Sequence, residues 1–432
     1  MDPILTVSLL LGLMFLLLAA GVWIAPVLMA VAAVAIDVMA GRPAGSSIAT
    51  TAWSASSSWM LTALPMFIWM GDILFHSRLS EDMFKGLSPL MRRWPGGLLH
   101  TNVMGCTLFG SVSGSSVATL TTVGKMTIPE LRKRGYPEHL IVSTLAGPAT
   151  LGLMIPPSII MIVYGVAAEV SIAKLFIAGV IPGIMLATLF SGYVIVWALF
   201  NKDKVPQEED HLTFAQRVYA SRNLIPAVIL IALVLGSIYT GVATATESAA
   251  LGVVGALVLS AVQGSLNREN FMTALMGATR LYCMIALILA GASFLTLAMG
   301  YIGLPRHLAE WIGGLGLSPL ALILALMVFY IILGCFLDGI SMVVLTMGVI
   351  LPSVERAGID LIWFGIYLVL VVEMAQVTPP VGFNLFVLQG MTKKEITWIA
   401  RQALPMFALM VVAVLLIWFF PGIITWLPKQ MS

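Results

Sequence analysis

Ile155-Pro156-Pro157-Ser158 and Thr378-Pro379-Pro380-Val381 lie half a chain apart, and laying the second Pro-Pro on the first gives an offset of 223 residues. The same offset, without a gap, carries Pro129 onto Pro352, Gly135 onto Gly358 and Pro182 onto Pro405. Landmarks held in one register indicate an internal repeat, each copy of which interrupts an apolar helix at a Pro-Pro. Proline lacks the backbone N–H and clashes with the preceding turn, so two in succession break a helix. In a bilayer, broken helix is tolerated only where it faces protein or a water-filled cavity. Paired interruptions in the two halves of a membrane chain point to a transporter's binding site.

Composition places the chain in a membrane. Of its 432 residues 60% are hydrophobic and 10% charged, far from the roughly one-quarter charged residues of soluble domains. Long apolar runs recur from end to end, and about 20 helical residues cross the hydrocarbon. Stretches such as Leu9 to Ala20 are continuous rather than alternating, which excludes an outer-membrane barrel. A net charge of +2 gives no reason to expect nucleic acid. Cys106, Cys283 and Cys335 lie in apolar segments without metal-ligand spacing. The N-terminus has no basic region before its first apolar stretch, so that stretch reads as a retained span.

Apolar segments run over 4–20, 22–40, 61–76, 138–168, 172–200, 223–241, 246–264, 272–299, 360–390 and 404–427. Segments 96–128 and 317–351 differ, because each is long enough for two short helices and has a small, polar centre: Gly110 to Ser116 in one, Gly334 to Ser341 in the other. Glycine permits the dihedrals of a chain reversal, so both read as re-entrant hairpins rather than as one continuous polar helix each. If the first hairpin opens to the cytoplasm, loop Lys and Arg favour that side by about three to one, the bias expected of cytoplasmic loops. Arg132, Lys133 and Arg134 then lie inside, and Arg306 and Arg356 outside. Both termini fall outside, an odd number of crossings separates the hairpins, and the second hairpin opens outward. The expected fold is an all-α membrane protein with two inverted-topology repeats, 1–200 and 223–432, joined by a cytoplasmic linker at 201–222. That linker carries Asp203, Glu208, Glu209 and Asp210 among its bases and is too short to bury a core of its own.

The two tips and the two breaks should meet near the midplane. Backbone carbonyls and hydroxyls are hard oxygen donors that suit a small hard cation such as Na+, and breaking a helix frees carbonyls. One candidate ion site uses Ser111, Ser113, Gly114 and Ser115 with Ile155 and Pro156. The other uses Gly334, Asp338, Gly339 and Ser341 with Thr378, Pro379 and Gly382. Ser116, Ser158 and Asn384 are substrate-binding candidates, because freed helix N-termini attract anions. The competing reading is that the small residues only let helices pack closely. Ionisable residues inside apolar segments are functional candidates by default. Asp37, Asp72, Lys125 and Arg280 lie near segment ends and can snorkel or cap. Glu247, in Thr244-Ala245-Thr246-Glu247-Ser248, fits the first turn of a helix. Asp338 and Glu373 remain, the latter as a coupling candidate. There is no HExxH helix, GxSxG elbow or Walker loop. No catalytic residue or organic cofactor is expected, and a gradient-driven carrier is.

Gly147-Pro148-Ala149-Thr150-Leu151-Gly152-Leu153-Met154-Ile155-Pro156-Pro157-Ser158 with Tyr164-Gly165 resembles the large membrane subunit of tripartite ATP-independent periplasmic (TRAP) transporters, the DctM-like family. So do Leu64-Pro65-Met66-Phe67 with Gly71, Gly110 to Ala118, Thr246-Glu247-Ser248-Ala249-Ala250, and Thr378-Pro379-Pro380-Val381-Gly382-Phe383-Asn384-Leu385-Phe386. The blocks span essentially the whole chain in family order. The resemblance implies a sodium-coupled importer of small organic acid anions (a C4-dicarboxylate, a sialic acid or another sugar acid) in a bacterial or archaeal inner membrane, working by an elevator-like motion. It also implies two partners: a periplasmic substrate-binding protein and a separate small membrane subunit of about four spans. Ala245 stands where the family often has proline. Two other readings are a single-chain sodium- or proton-coupled carboxylate carrier of similar architecture and a lipid-modifying membrane enzyme.

Overall fold

The computed structural model describes residues 3–206, 213–314, 317–334, 337–379 and 382–431. Pro380 and Val381 of the second break, Cys335 and Phe336 of the second tip, and linker residues 207–212 lie outside the described residues. The chain is helical throughout. The first half holds α1 (Pro3–Ala19), α2 (Ile24–Val34), α3 (Ala44–Ser56), α4 (Ala63–Phe75), α5 (Leu79–Met91), α6 (Leu99–Ser113), α7 (Ser116–Lys133), α8 (Glu138–Ala146), α9 (Leu151–Met154), α10 (Ile159–Ala167) and α11 (Ile172–Phe200). After a short α12 (Phe214–Ala220) come α13 (Ile225–Tyr239), α14 (Ala245–Val262), α15 (Arg268–Tyr301), α16 (Leu304–Gly314), α17 (Pro319–Leu333), α18 (Gly339–Arg356), α19 (Leu361–Gln376), α20 (Phe383–Thr392), α21 (Ile396–Phe419) and α22 (Gly422–Thr425).

Side-chain caps set many of these boundaries. Ser171, Asn267, Ser318 and Asp360 each accept from a backbone N–H in the first turn of α11, α15, α17 and α19, satisfying donors that have no partner inside the helix. Thr244 and Glu247 close a capping box on α14, which gives Glu247 a structural task. Asp37 accepts from the Ala44 N–H at 2.8 Å, where α3 begins.

Among the described residues six helices are long and apolar enough to cross a membrane, and up to eight spans result if each of two bent pairs counts as one. One bent pair is α8–α9 with α10, turned by 43° at the first Pro-Pro. The other is α3 with α4, turned by 54°. The apolar runs in the sequence do not reveal α3, because Ser46, Ser47, Thr50, Thr51, Ser54 and Ser56 dilute its hydropathy. Thr50 returns its hydroxyl to the Ser46 and Ser47 carbonyls, so the helix tolerates its own polar side chains. The amphipathic helices α5 and α16 are also invisible to a search for apolar runs.

Helices α1–α4 and α13–α15 pack on one another, with α15 lying against α2, α3 and α4, and α14 against α4 and α13. Helices α6–α10 and α17–α20 pack on one another, with α11 lying against α6, α9, α10 and α19, and α21 against α8, α11, α19 and α20. Their interior is the most deeply buried part of the chain: from Phe364 to Met374 every side chain is fully enclosed. Large apolar side chains such as Ile229, Val254, Val258 and Phe419 stay exposed, forming outward faces suited to lipid.

Helix boundaries recur at the spacing of the two Pro-Pro pairs. Helices α7 and α18 are each 18 residues long and start at Ser116 and Gly339. Pro129 and Pro352 sit inside them, and Gly135 (φ 81°) and Gly358 (φ 72°) follow their ends in the left-handed conformation. Pro182 and Pro405 lie inside α11 and α21. The spacing also sets the bent pair α3–α4 against the single 34-residue helix α15.

Candidate ion and substrate site

Helix α6 ends at Ser113, and Gly114 turns the chain in the left-handed conformation, φ 62°, which glycine adopts without steric cost. Ser115 then caps α7 by accepting from the Ala118 N–H at 3.4 Å. Ser113 Oγ lies 2.8 Å from Thr119 Oγ1, which donates to the Ser115 carbonyl at 2.7 Å. Ser111 donates to the Leu108 carbonyl at 2.7 Å. The tip is therefore a folded hydroxyl network whose lone pairs remain available.

Helix α9 stops at Met154, and Ile155 is extended. The Pro156–Pro157 peptide bond is cis, and Ser158, fully buried, caps α10 by accepting from the Met161 N–H at 3.3 Å. Among the described residues no donor reaches the carbonyls of Met154, Ile155, Pro156 or Pro157. Tip and break touch through backbone. A Cβ on Gly114 would stand 2.9 Å from the Pro157 carbonyl oxygen, and one on Gly152 would stand 2.9 Å from that of Ser115. Ser111, Val112 and Pro157 also line a small cleft with Met70, Leu230 and Val234. The structure thus brings Ser111 and Gly114 to Pro157 and Ser115 to Gly152, on either side of Ile155 and Pro156.

At the second tip Asp338 caps α18. Its Oδ2 accepts from the Ile340 and Ser341 N–H groups at 3.1 and 3.3 Å, and its Oδ1 accepts from the Ser341 hydroxyl. Much of this carboxylate's hydrogen-bonding capacity is spent on its own helix. Gly334 packs against Ala375, and Gly339 against Val372 and Ile160, too closely for any side chain. At the second break Thr378 donates to the Met374 carbonyl at 2.6 Å. A Cβ on Gly382 would fall 2.6 Å from the Gln376 carbonyl oxygen and 2.9 Å from that of Thr378, so two carbonyls converge where only glycine fits. Pro379 is the last described residue before the gap. Asn384 is fully buried, and neither its Oδ1 nor its Nδ2 has a partner among the described residues.

Two of the contacts between the halves lie close to the site. Ser116, the first residue of α7, donates to Gln376 Oε1 at the end of α19, and Gln376 Nε2 faces Gly339, the first residue of α18. One amide thus lies between the starts of both tip helices. Thr150 Oγ1 is 3.3 Å from Glu373 Oε2. Thr119, Thr150, Gly152 and Gln376 are not among the site candidates named from the sequence, although Thr150 and Gly152 lie in its Gly147–Ser158 block. The repeat register could have found Thr150, because it places Thr150 on Glu373. Gln376 had no such signal, since the register sets it against Leu153. Among the described residues no cluster of three His, Cys, Asp or Glu side chains could hold a transition metal, and the donors that converge are carbonyls and hydroxyls.

A family model described as the tripartite ATP-independent periplasmic transporter, DctM component, matches residues 11–423. The C4-dicarboxylate TRAP transporter large permease protein DctM of Rhodobacter capsulatus is 30% identical over 401 residues, covering 89% of this chain and 90% of that protein. The isethionate TRAP transporter permease protein DctMQ of Oleidesulfovibrio alaskensis is 31% identical over 424 residues, covering 98% of this chain and 66% of that protein. The ectoine/5-hydroxyectoine TRAP transporter large permease protein UehC of Ruegeria pomeroyi is 31% identical over 368 residues, covering 84% of each chain. In fold, the chain is similar to the YdaH transporter of Alcanivorax borkumensis, with a TM-score of 0.65 and 15% identity over 87% of this chain and 89% of that one.

Proposed function

The chain belongs to the DctM component family of tripartite ATP-independent periplasmic transporters, as a large permease subunit, and from that premise we propose that it imports a small organic acid anion by coupling to sodium. The observation that carries the coupling is the first tip and break: the carbonyls of Met154 to Pro157, without donors among the described residues, packed through Pro157 and Gly152 against a tip that carries the hydroxyls of Ser111, Ser113 and Ser115. Such oxygens match a sodium ion, which needs no anionic cage. A second ion is assigned to the carbonyls of Gln376 and Thr378 with Asp338 and Ser341. The transported anion is assigned to the space between the tips, near Ser116, Gln376 and Asn384. Relatives are named for C4-dicarboxylates, isethionate and ectoine, and the proposed selector of the particular compound is a periplasmic binding protein. The other partner is a small membrane subunit, a separate chain in the cell inner membrane.

The 223-residue recurrence of helix boundaries supports two repeats of inverted topology, 1–200 and 223–432 about the 201–222 linker. The unit built from the two tips and two broken helices then moves as an elevator against α1–α4 and α13–α15. The test is reconstitution in liposomes with radiolabelled organic acids. Uptake should require an inward sodium gradient, the small subunit and the loaded binding protein together. Robust uptake by this chain alone would identify a single-chain carrier instead.

A further inference from the structure

Thr150 and Glu373 are 223 residues apart and 3.3 Å from contact to contact, Oγ1 to Oε2. That separation equals the repeat offset. A residue that touches its own repeat equivalent lies on the axis relating the two copies, so this pair marks where the two broken helices cross. Glu373 is fully buried, and its Oε1 has no partner among the described residues.

Counting hydrogens decides the state of this carboxyl. A threonine hydroxyl has one hydrogen and two lone pairs. Given to the nearer of its two acceptors, the Gly147 carbonyl at 2.7 Å rather than Glu373 Oε2 at 3.3 Å, the Thr150 hydrogen is spent within its own turn. Toward Glu373 the Thr150 oxygen can then only accept, and the hydrogen between them belongs to Glu373. Ionised, the same carboxylate would have about four acceptor sites and, among the described residues, no donor but the Thr150 hydroxyl already spent on Gly147, and burying an unpaired charge is costly. The helices packed on α19 carry Tyr164, Lys174, Tyr193, Tyr330, Glu355, Arg356 and Arg401. Tyr164 donates to the Leu361 carbonyl and Tyr330 pairs with Thr346. On α19 itself Tyr367 donates to the Ile323 carbonyl. None of these groups bonds or ion-pairs with Glu373 among the described residues.

We propose that Glu373 is a proton-binding site: a neutral carboxylic acid that donates to Thr150 on the axis between the broken helices and keeps its proton through the transport cycle. The inference is independent of which ion drives uptake. It means that the charge moved per turnover is set by coupling ions and substrate alone, and it makes glutamine an adequate replacement, since an amide N–H can donate in place of the acid O–H.

The test is infrared spectroscopy of the permease in nanodiscs, wild type against Glu373→Gln and Thr150→Val. The wild type should show the C=O stretch of a protonated acid, unchanged from mildly acidic to mildly alkaline buffer and with or without sodium. Glu373→Gln should remove it, and Thr150→Val should move it to higher frequency, because the acid loses its acceptor. The uptake that Glu373→Gln supports in the complete system should keep the wild-type sodium requirement, the donor being conserved. A wild type without this band, a band that titrates or disappears on adding sodium, or a raised sodium requirement in Glu373→Gln overturns the proposal. If Glu373→Gln does not accumulate, the wild-type titration and the Thr150→Val shift decide the question.

Discussion

Asp338 shows how a single residue carries two tasks that one substitution can separate. It caps α18, accepting from the Ile340 and Ser341 N–H groups, and it supplies the one carboxylate proposed for the second ion. Asparagine caps helices about as well as aspartate but carries no charge. Asp338→Asn should therefore leave the melting temperature nearly unchanged. Its sodium requirement for uptake should rise roughly tenfold, because a hydrogen bond or contact to a charged group contributes about 1.5–3 kcal/mol. A variant that melts early but keeps its sodium dependence would make Asp338 a cap and nothing more. Sequence reading found Asp338 and Glu373 because ionisable residues stand out in apolar surroundings. It passed over Gln376 because a neutral amide at the end of a helix leaves no such mark, and its meeting with Ser116 spans 260 residues.

Among elements, the tip of α6–α7 and the break before α10 form one unit held by backbone contact. Gly114 and Gly135 test this by comparison. Both have positive φ, but a Cβ on Gly114 meets the Pro157 carbonyl, whereas one on Gly135 meets nothing within 4 Å. Alanine at either position costs roughly 1–2 kcal/mol of backbone strain, read as a lowered melting temperature. Only Gly114→Ala should also depress sodium-driven uptake, because only there does the methyl group press on a proposed ion ligand. Equal transport by the two variants would dissociate the tip from the site. The sequence made the breaks and both tips legible, since Pro-Pro, glycine and serine have local consequences. Helices α3, α5 and α16 were not legible: hydroxyls dilute the first, and charged faces interrupt the other two. The bend between α3 and α4 has no proline to announce it at Ser57 and Ser58.

For the whole molecule, the register and the bias of loop charges are the grounds for the proposed inverted repeats. Lys133 at the end of α7 should face the cytoplasm and Arg356 at the end of α18 the opposite side. Single cysteines at these positions, probed with a membrane-impermeant thiol reagent, should label from opposite faces, and labelling from the same face removes the inversion. The central claim is that each repeat supplies one sodium site built from a tip and a broken helix. Its most direct test is the initial uptake rate against external sodium at fixed membrane potential, with the small subunit and the loaded binding protein present. Two sites predict a sigmoidal dependence with a Hill slope above one, and Ser113→Ala should shift that curve to higher sodium without lowering the yield of folded protein. A hyperbolic curve unmoved by Ser113→Ala, or uptake that persists without sodium and stops when the proton gradient is collapsed, would contradict it.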